Sequence, residues 1–365
     1  MCRQARIGST TLGADHNPRL FPSFKIGLAA AGGSCYTPGV DDETRSGFGK
    51  RLLRAGVNLL VVTYVAGLAL YFGLRWLGGG GLWPVEALGY VLPWLFAPLL
   101  LLVPMILLLR SRVLLIVVAL PVVAFLLLYG GLYLPRRQVA AAGQPFTVLT
   151  YNINGRNRDV EAIAAQIERF APDVVALHEV NATMHKALRA RLLDRYPYQQ
   201  REPGIGLYSR LPIEGYQAYR LGGEEGPWAQ QCRLPVDGHE VTLLNVHPRT
   251  PSGEMRRFAA SGHAADVDDL LARMEGIDGP LLVVGDLNLT DQNEAYGELA
   301  RRLRDAYREA GRGMGFTFRG SEGGPALWRI DFVLHTPDLA ALDVDLGDYG
   351  GSDHRPLVST LAWGQ

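Results

Sequence analysis

The sequence predicts an α/β domain with extensive sheet, carried behind three membrane-spanning helices. Three observations lead there. Residues 146–365 alternate short apolar runs of strand length with segments of helical period. Residues 50–137 contain three apolar runs of 20, 22 and 22 residues without a charge. The formal net charge of zero hides a split: residues 1–143 carry 13 basic and 5 acidic groups, net +8, and residues 144–365 carry 23 and 31, net −8. The two halves are built for different surroundings.

Residues 1–49 are rich in Gly, Pro, Ser and Thr without a sustained period, which predicts disorder and also fits an over-extended reading frame. The apolar runs follow at Ala55–Leu74, Leu88–Leu109 and Val113–Leu134. Each matches the roughly 20 residues a helix needs to cross a bilayer. Pro93, Pro98, Pro104 and Pro121 are tolerable in lipid. A buried helical core is the competing reading, and the near absence of polar residues argues against it. The long leader argues against a cleaved signal peptide. Lys50, Arg51, Arg54, Arg110 and Arg112 flank the runs on one side, against Arg75, Arg136 and Arg137 on the other. The positive-inside rule then puts the amino terminus in the cytoplasm. Three crossings place residues 138–365 outside a plasma (inner) membrane in a multi-pass topology.

A linker is expected over 138–145, then one soluble domain over 146–365. Phe146–Tyr151 reads as its first strand. Asp159 is placed to cap a helix whose Val160, Ile163, Ala164, Ile167 and Phe170 share a face. Strands are expected at Asp173–Leu177, Ile205–Tyr208, Val241–Val246, Leu281–Val284, Ile330–Leu334 and Leu357–Leu361. Helices are expected at Glu254–Met274 and Glu294–Glu309. No internal repeat is visible. The cysteines, Cys2, Cys35 and Cys232, leave the soluble half with one and no zinc-type spacing.

The soluble half is organised around Pro280–Asn288. Leu281–Val284 is apolar enough to be buried on both faces, and Gly285 permits a turn. Asp286 and Asn288, two apart, leave the strand on the same side. A strand ending in an Asp/Asn turn fits this stretch equally well. The pattern recurs, however. Asn152 and Asn154 follow the first strand, His178 and Glu179 the second, and Asn245 and His247 end another. Asp331 enters a late strand, and Ser352-Asp353-His354 precedes the last. Open α/β sheets gather their sites beyond strand ends, so six such clusters predict one pocket. Each residue alone also fits a turn or a satisfied core position. Glu179 and Asp331 fit least well, because an unpaired buried carboxylate is costly. Carboxylates, amides and two imidazoles without a thiol suit Mg²⁺ or Mn²⁺ better than zinc.

Taken in order, these motifs, with Gly206–Ile213, resemble the endonuclease/exonuclease/phosphatase family from about Phe146 to Trp363. That family includes deoxyribonucleases, abasic-site endonucleases, neutral sphingomyelinases and inositol polyphosphate 5-phosphatases. The resemblance implies a four-layer sandwich of two packed mixed sheets flanked by helices. It implies metal-facing roles for Glu179, Asn152 and Asp353, and catalytic roles for Asp286, Asn288, Asp331, His354 and His247. Asp286 matches the water-orienting aspartate, Asn288 its phosphate-contacting neighbour, and Asp331 the partner of His354. His247 is similar to the second histidine of the deoxyribonuclease and sphingomyelinase branches. His178 stands where many members have Gln.

The expected function is therefore divalent-metal-dependent hydrolysis of a phosphodiester or phosphomonoester, with bilayer and phosphate ester as partners and no obligate protein partner evident. The net −8 charge favours a lipid headgroup or small phosphoester over nucleic acid. An extracytoplasmic nuclease acting on DNA or RNA is the alternative, and a basic patch at Arg301, Arg302, Arg304 and Arg308 facing the pocket would support it. A catalytically silent, membrane-tethered binding domain is a third reading.

Overall fold

Residue parity along the strands sets the architecture. In β1 (Ala141–Asn152), Phe146 and Val148 join one buried cluster while Leu149 and Tyr151 join another. The same alternation divides β8 (Leu281–Asp286) into Leu282 and Val284 on one face, Leu281 and Val283 on the other. Strands apolar on both faces must be covered on both, which requires layers.

The computed structural model describes residues 42–78, 82–134, 141–251, 262–321 and 323–364. The chain divides into two units, Met1–Leu52 and Leu53–Gln365. The disordered segment expected over 1–49 lies outside the described residues as far as 41. From Asp42 the chain is helical.

The apolar region forms α1 (Asp42–Gly78), α2 (Trp83–Leu95), α3 (Leu99–Leu109) and α4 (Arg112–Tyr129), with a 3-10 turn at Gly130–Tyr133. Phe48–Gly78 and Arg112–Tyr133 are each long and apolar enough to cross a membrane. The middle run is broken, so α2 and α3 make a third span only as a pair bent by 55°. Pro98 at the break lacks the N–H that would continue the ladder.

The described residues from Ala141 onward hold two six-stranded sheets. The first adds β2 (Val174–Val180), β3 (Tyr198–Glu202), β4 (Gly204–Ser209), β11 (Leu339–Leu346) and β12 (Leu357–Gly364), in the order β11-β12-β1-β2-β4-β3. The second comprises β5 (Glu214–Arg220), β6 (Trp228–Val236), β7 (His239–Val246), β8, β10 (Asp331–His335) and β9 (Arg304–Asp305), in the order β5-β6-β7-β8-β10-β9. β1 and β2 run parallel, as do β7 and β8, amid antiparallel neighbours. The inner faces meet through Val148, Val174 and Leu207 against Leu243, Leu282 and Val333. Helices α5 (Val160–Phe170) and α6 (Ala182–Leu192) cover the first sheet; α7 (Gly262–Glu275) and α8 (Glu294–Leu299) cover the second. The four-layer sandwich is as the resemblance implied.

Three local expectations change. β1 begins at Ala141, inside the segment expected as a linker, because Ala141 and Ala142 pair with Gly364 and Trp363; a bulge at Gly143–Pro145 absorbs the proline. The helix expected over Glu294–Glu309 stops at Leu299, since Asp305 pairs with Leu334 in the sheet and caps a separate α9 (Ala306–Ala310) through its carboxylate. Gly285 does not turn the chain. It lies within β8, where any Cβ would stand 1.9 Å from the Val246 carbonyl oxygen. The start of the helix expected from Glu254 lies outside the described residues as far as 261.

Candidate active site

Asn152, Asp286 and Asp331 continue the inward-facing series of β1, β8 and β10 past the last apolar pair. In β1 the series is Phe146, Val148, Thr150, Asn152; in β8 it is Leu282, Val284, Asp286; in β10 Asp331 precedes Val333. Asp286 and Asp331 lie directly across the antiparallel β8–β10 pair. All three side chains are therefore delivered between the sheets at one end of the sandwich, and all are buried.

Beside them lies a polar layer drawn from β2, β7 and β6. His178 Nε2 meets Asn245 Oδ1 at 2.8 Å, and Asn245 Nδ2 donates to Gln230 Oε1 at 2.8 Å. Burial pushes His178 down to about 3, with His247 adding to the effect. It is a neutral donor that supports this layer.

The carboxylates converge on one amide. Asn152 Nδ2 donates to Glu179 Oε1 and to Asp286 Oδ2, each at 3.0 Å, so the two acids lie within about 6 Å of each other. Asn152 Oδ1 accepts from the Asn154 backbone N–H at 3.0 Å, which fixes the orientation of the amide. Glu179 Oε2 accepts from Gly155 N at 2.8 Å. Three of the six described non-glycine residues with positive φ lie at the site. Asn154, Glu179 and Asn288 have φ of 60°, 59° and 52°, a region non-glycine residues avoid. At Glu179 it accompanies a bulge between His178 and Val180 that turns the carboxylate out of the strand alternation.

Both imidazoles face Asp286. His247 Nε2 stands 3.5 Å and His354 Nε2 3.7 Å from Asp286 Oδ2, ion-pair distances too long for hydrogen bonds. His354 Nδ1 is held by Asp331 Oδ2 at 2.9 Å. Burial opposes a charge on His354, yet Asp331 and Asp286 outweigh it and push the imidazole up to about 9. Burial likewise opposes charge on Asp286, but His354, His247 and Asn152 hold it well below the carboxylate range. One ligand atom from each of Asp286, Asp331 and His354 lies within 4.8 Å of the other two.

Seven of the eight expected site residues thus form one group. Asn288 belongs to it through its backbone N–H, which donates to Asp286 Oδ1 at 3.0 Å, while its Nδ2 donates to Pro248 O. Asp353 stands at the margin, its Oδ1 accepting from Asn154 Nδ2 at 3.1 Å. Carboxylate and carboxamide groups without sulfur fit a hard divalent cation, and Asp286 stands between Glu179, across the Asn152 amide, and Asp331, across the strand pair. The basic patch does not form. Arg301 pairs with Glu298, Arg302 donates to the Met274 and Ile277 carbonyls, Arg304 pairs with Glu309, and Arg308 with Asp291.

Sequence reasoning missed the fastening of this site to the apolar helices α1 and α2. Tyr90 OH donates to Asn288 O at 2.8 Å, Thr290 Oγ1 to Gly89 O at 3.2 Å, and Arg75 to Gln292 O at 2.5 Å. Glu86 accepts from Asn293 Nδ2 at 2.8 Å and Glu294 N at 3.0 Å. The signal was present: Glu86 is the only acidic residue between Glu43 and Asp159, and a lone acid in an apolar segment asks for a partner.

Residues 149–354, over half the chain, match the model of the Endonuclease/Exonuclease/phosphatase family. Among solved structures, an endonuclease/exonuclease/phosphatase from Beutenbergia cavernae is 23% identical, with 61% of this chain and 72% of that one covered and a TM-score of 0.50. One from Bacteroides vulgatus is 20% identical, covering 60% and 100%, TM-score 0.51. D. rerio TDP2, complexed with a single-strand DNA product, is 15% identical, covering 60% and 99%, TM-score 0.50. At these identities the likeness speaks for fold. No curated protein sequence matches the chain. By the length of the family match and the two-sheet architecture, this chain belongs to the endonuclease/exonuclease/phosphatase family and is a metal-dependent hydrolase of phosphate esters.

Proposed function

We propose that the protein is a membrane-anchored phosphoesterase that uses Mg²⁺ or Mn²⁺ and acts outside the cytoplasm on a lipid headgroup or another small phosphoester. The observation that carries the reading is the bridging of Glu179 and Asp286 by the Asn152 amide, with the Asp331-supported His354 facing the same Asp286 oxygen.

Glu179 and Asp286 are the residues to hold the cation, with Asn152 orienting both. When bound, the ion offsets the negative charge of the phosphoryl group and of its transition state. Asp286, kept ionised, accepts a hydrogen bond from the attacking water and aligns it. His354, kept protonated by Asp331, donates from Nε2 to a phosphoryl oxygen, and His247 does so from the other side. Asn288 keeps one amide proton free of Pro248 to meet the phosphate. Asp353 positions Asn154, whose backbone N–H fixes the Asn152 amide.

Orientation rests on the flanking charges. Arg75 is engaged by the Gln292 carbonyl, so its position follows packing, and the remaining basic flanks favour a cytoplasmic amino terminus more strongly. The nuclease reading draws on the TDP2 complex with DNA. Against it stand the net −8 charge of residues 144–365 and the pairing of the four arginines.

The test uses the full chain in nanodiscs and Mg²⁺-dependent hydrolysis of bis(p-nitrophenyl) phosphate. Asp286→Ala and His354→Ala should each lower the rate by about 10²–10⁴-fold. Full activity in both variants would reject the assignment.

A further inference from the structure

The apolar surface nearest the site belongs to the membrane helices. A cavity of about 310 Å³ opens beside Asn288, walled by Ala87 and Tyr90 of α2 and by Phe318 and Trp328. Phe318 in turn lies against His354, ring centroids 4.7 Å apart. A larger cavity, about 610 Å³, lies where α2 bends into α3, reaching Val122 of α4 and Phe316 of the soluble part. Trp94 and Phe316 stack at 5.4 Å along it. The Trp94 Nε1–H is occupied by Leu327 O, so the indole offers hydrocarbon. A separate space of about 20 Å³, lined also by Thr290, Asp291 and Arg329, borders both. It shares Tyr90 and Trp328 with the first cavity, Pro93 and Phe316 with the second.

We propose that the larger cavity holds the hydrocarbon chain of the substrate, making the substrate an amphiphilic phosphoester whose phosphate sits at Asp286 and His354. This rests on the phosphoesterase reading. Three features name the occupant. The groove is cut into α4, which is apolar and long enough to cross a bilayer, and into the bent α2–α3 pair that passes the same test. Hydrocarbon is therefore the medium that surrounds it. Its aromatic and aliphatic lining offers a polar ligand little beyond the Tyr133 hydroxyl at its edge, which makes polar occupancy costly. Its volume falls within the roughly 300–1,000 Å³ of small-molecule sites. Tyr90 of the first cavity and Pro93 of the second lie within one turn of α2, so a single molecule lying along that face of the helix reaches from phosphate to chain. The membrane helices are then part of the substrate site as well as an anchor.

The test uses the full chain in nanodiscs and two phosphodiesters of identical headgroup, one with a two-carbon and one with an eight-carbon chain, both kept monomeric. Ala97→Trp and Val122→Trp fill the groove from different helices. Partition into the disc is the same for wild type and variants, so it cancels in the ratio. Both variants should keep hydrolysis of the short substrate within about twofold and lose about 10-fold or more in kcat/KM on the long one, the equivalent of two displaced methylenes. Equal losses on both substrates in both variants, or no selective loss in either, overturn the inference. A groove that holds only bulk lipid gives that second result. Wild-type protein that hydrolyses neither substrate sinks the phosphoesterase reading and this inference with it. Wild-type hydrolysis of both, without chain-length discrimination in the variants, removes the groove alone.

Discussion

Replacing Glu86 by leucine should loosen the loop that carries the site. Glu86 lies on α2, yet its carboxylate accepts from Asn293 Nδ2 at 2.8 Å and from Glu294 N at 3.0 Å, at the start of α8. Asn293 Oδ1 in turn accepts from Thr290 N at 2.7 Å, two residues beyond Asn288. Asn293 is only 2% exposed, so water does not readily replace the lost carboxylate. Leaving a buried donor unsatisfied costs about 1–3 kcal/mol. If that cost falls on local opening, amide exchange across 288–294 accelerates roughly 5- to 150-fold. Hydrogen–deuterium exchange of the full chain in nanodiscs reads this directly, with Glu86→Gln, which retains one acceptor, giving an intermediate rate. Phosphoesterase turnover should fall with the loss of protection. Wild-type exchange in Glu86→Leu would show that α2 merely touches the loop.

Three further outcomes follow from the geometry. Asp331→Asn removes the carboxylate that helps push His354 up to about 9 against burial; the imidazolium is then lost at lower pH, and the alkaline limb of kcat/KM should move down, whereas an unmoved limb contradicts the donor role. Arg329→Met should cost about 3–5 kcal/mol by chemical denaturation, because it strips the buried Asp305 of its cation, bonded at 2.7 Å, and leaves Asp291, bonded at 2.9 Å, with Arg308 alone; a loss under about 1 kcal/mol contradicts this. Burial opposes charge on Asp291, but Arg329 and Arg308 hold it below the carboxylate range, so its contribution to wild-type stability is present above the unfolded value of about 4 and is lost as pH falls through the lower folded value. Glu179→Gln should weaken Mg²⁺ or Mn²⁺ binding by at least about tenfold in calorimetry, and chelation should abolish wild-type activity reversibly.

Much of the site was legible because strand parity is a strong rule. Once Leu282 and Val284 face the core, Asp286 must follow them, and the same holds for Asn152 after Val148 and Thr150. Glu179 obeys no such parity. A bulge with positive φ turns it outward, and nothing in Leu-His-Glu-Val announces that. Strands β3 and β5 escaped notice because they lie at sheet edges with few fully buried side chains, and β6 because two glutamines and a proline interrupt its apolar alternation. The helical pattern over Glu294–Glu309 was overridden when Asp305 was drawn into the sheet by Leu334. Docking of α2 on the catalytic loop was hidden for a different reason. Hydropathy describes how a segment meets lipid, and only Glu86 hinted that one face meets protein.

The most direct test of convergence is a double-variant cycle in the full chain, with Glu179→Gln and His354→Ala made singly and together and kcat/KM measured at saturating Mg²⁺. If both side chains act on one phosphoryl group, their losses are strongly non-additive and the double variant is about as impaired as the worse single one. Losses that multiply independently would mean that the carboxylate and the imidazole do not serve a common reaction centre.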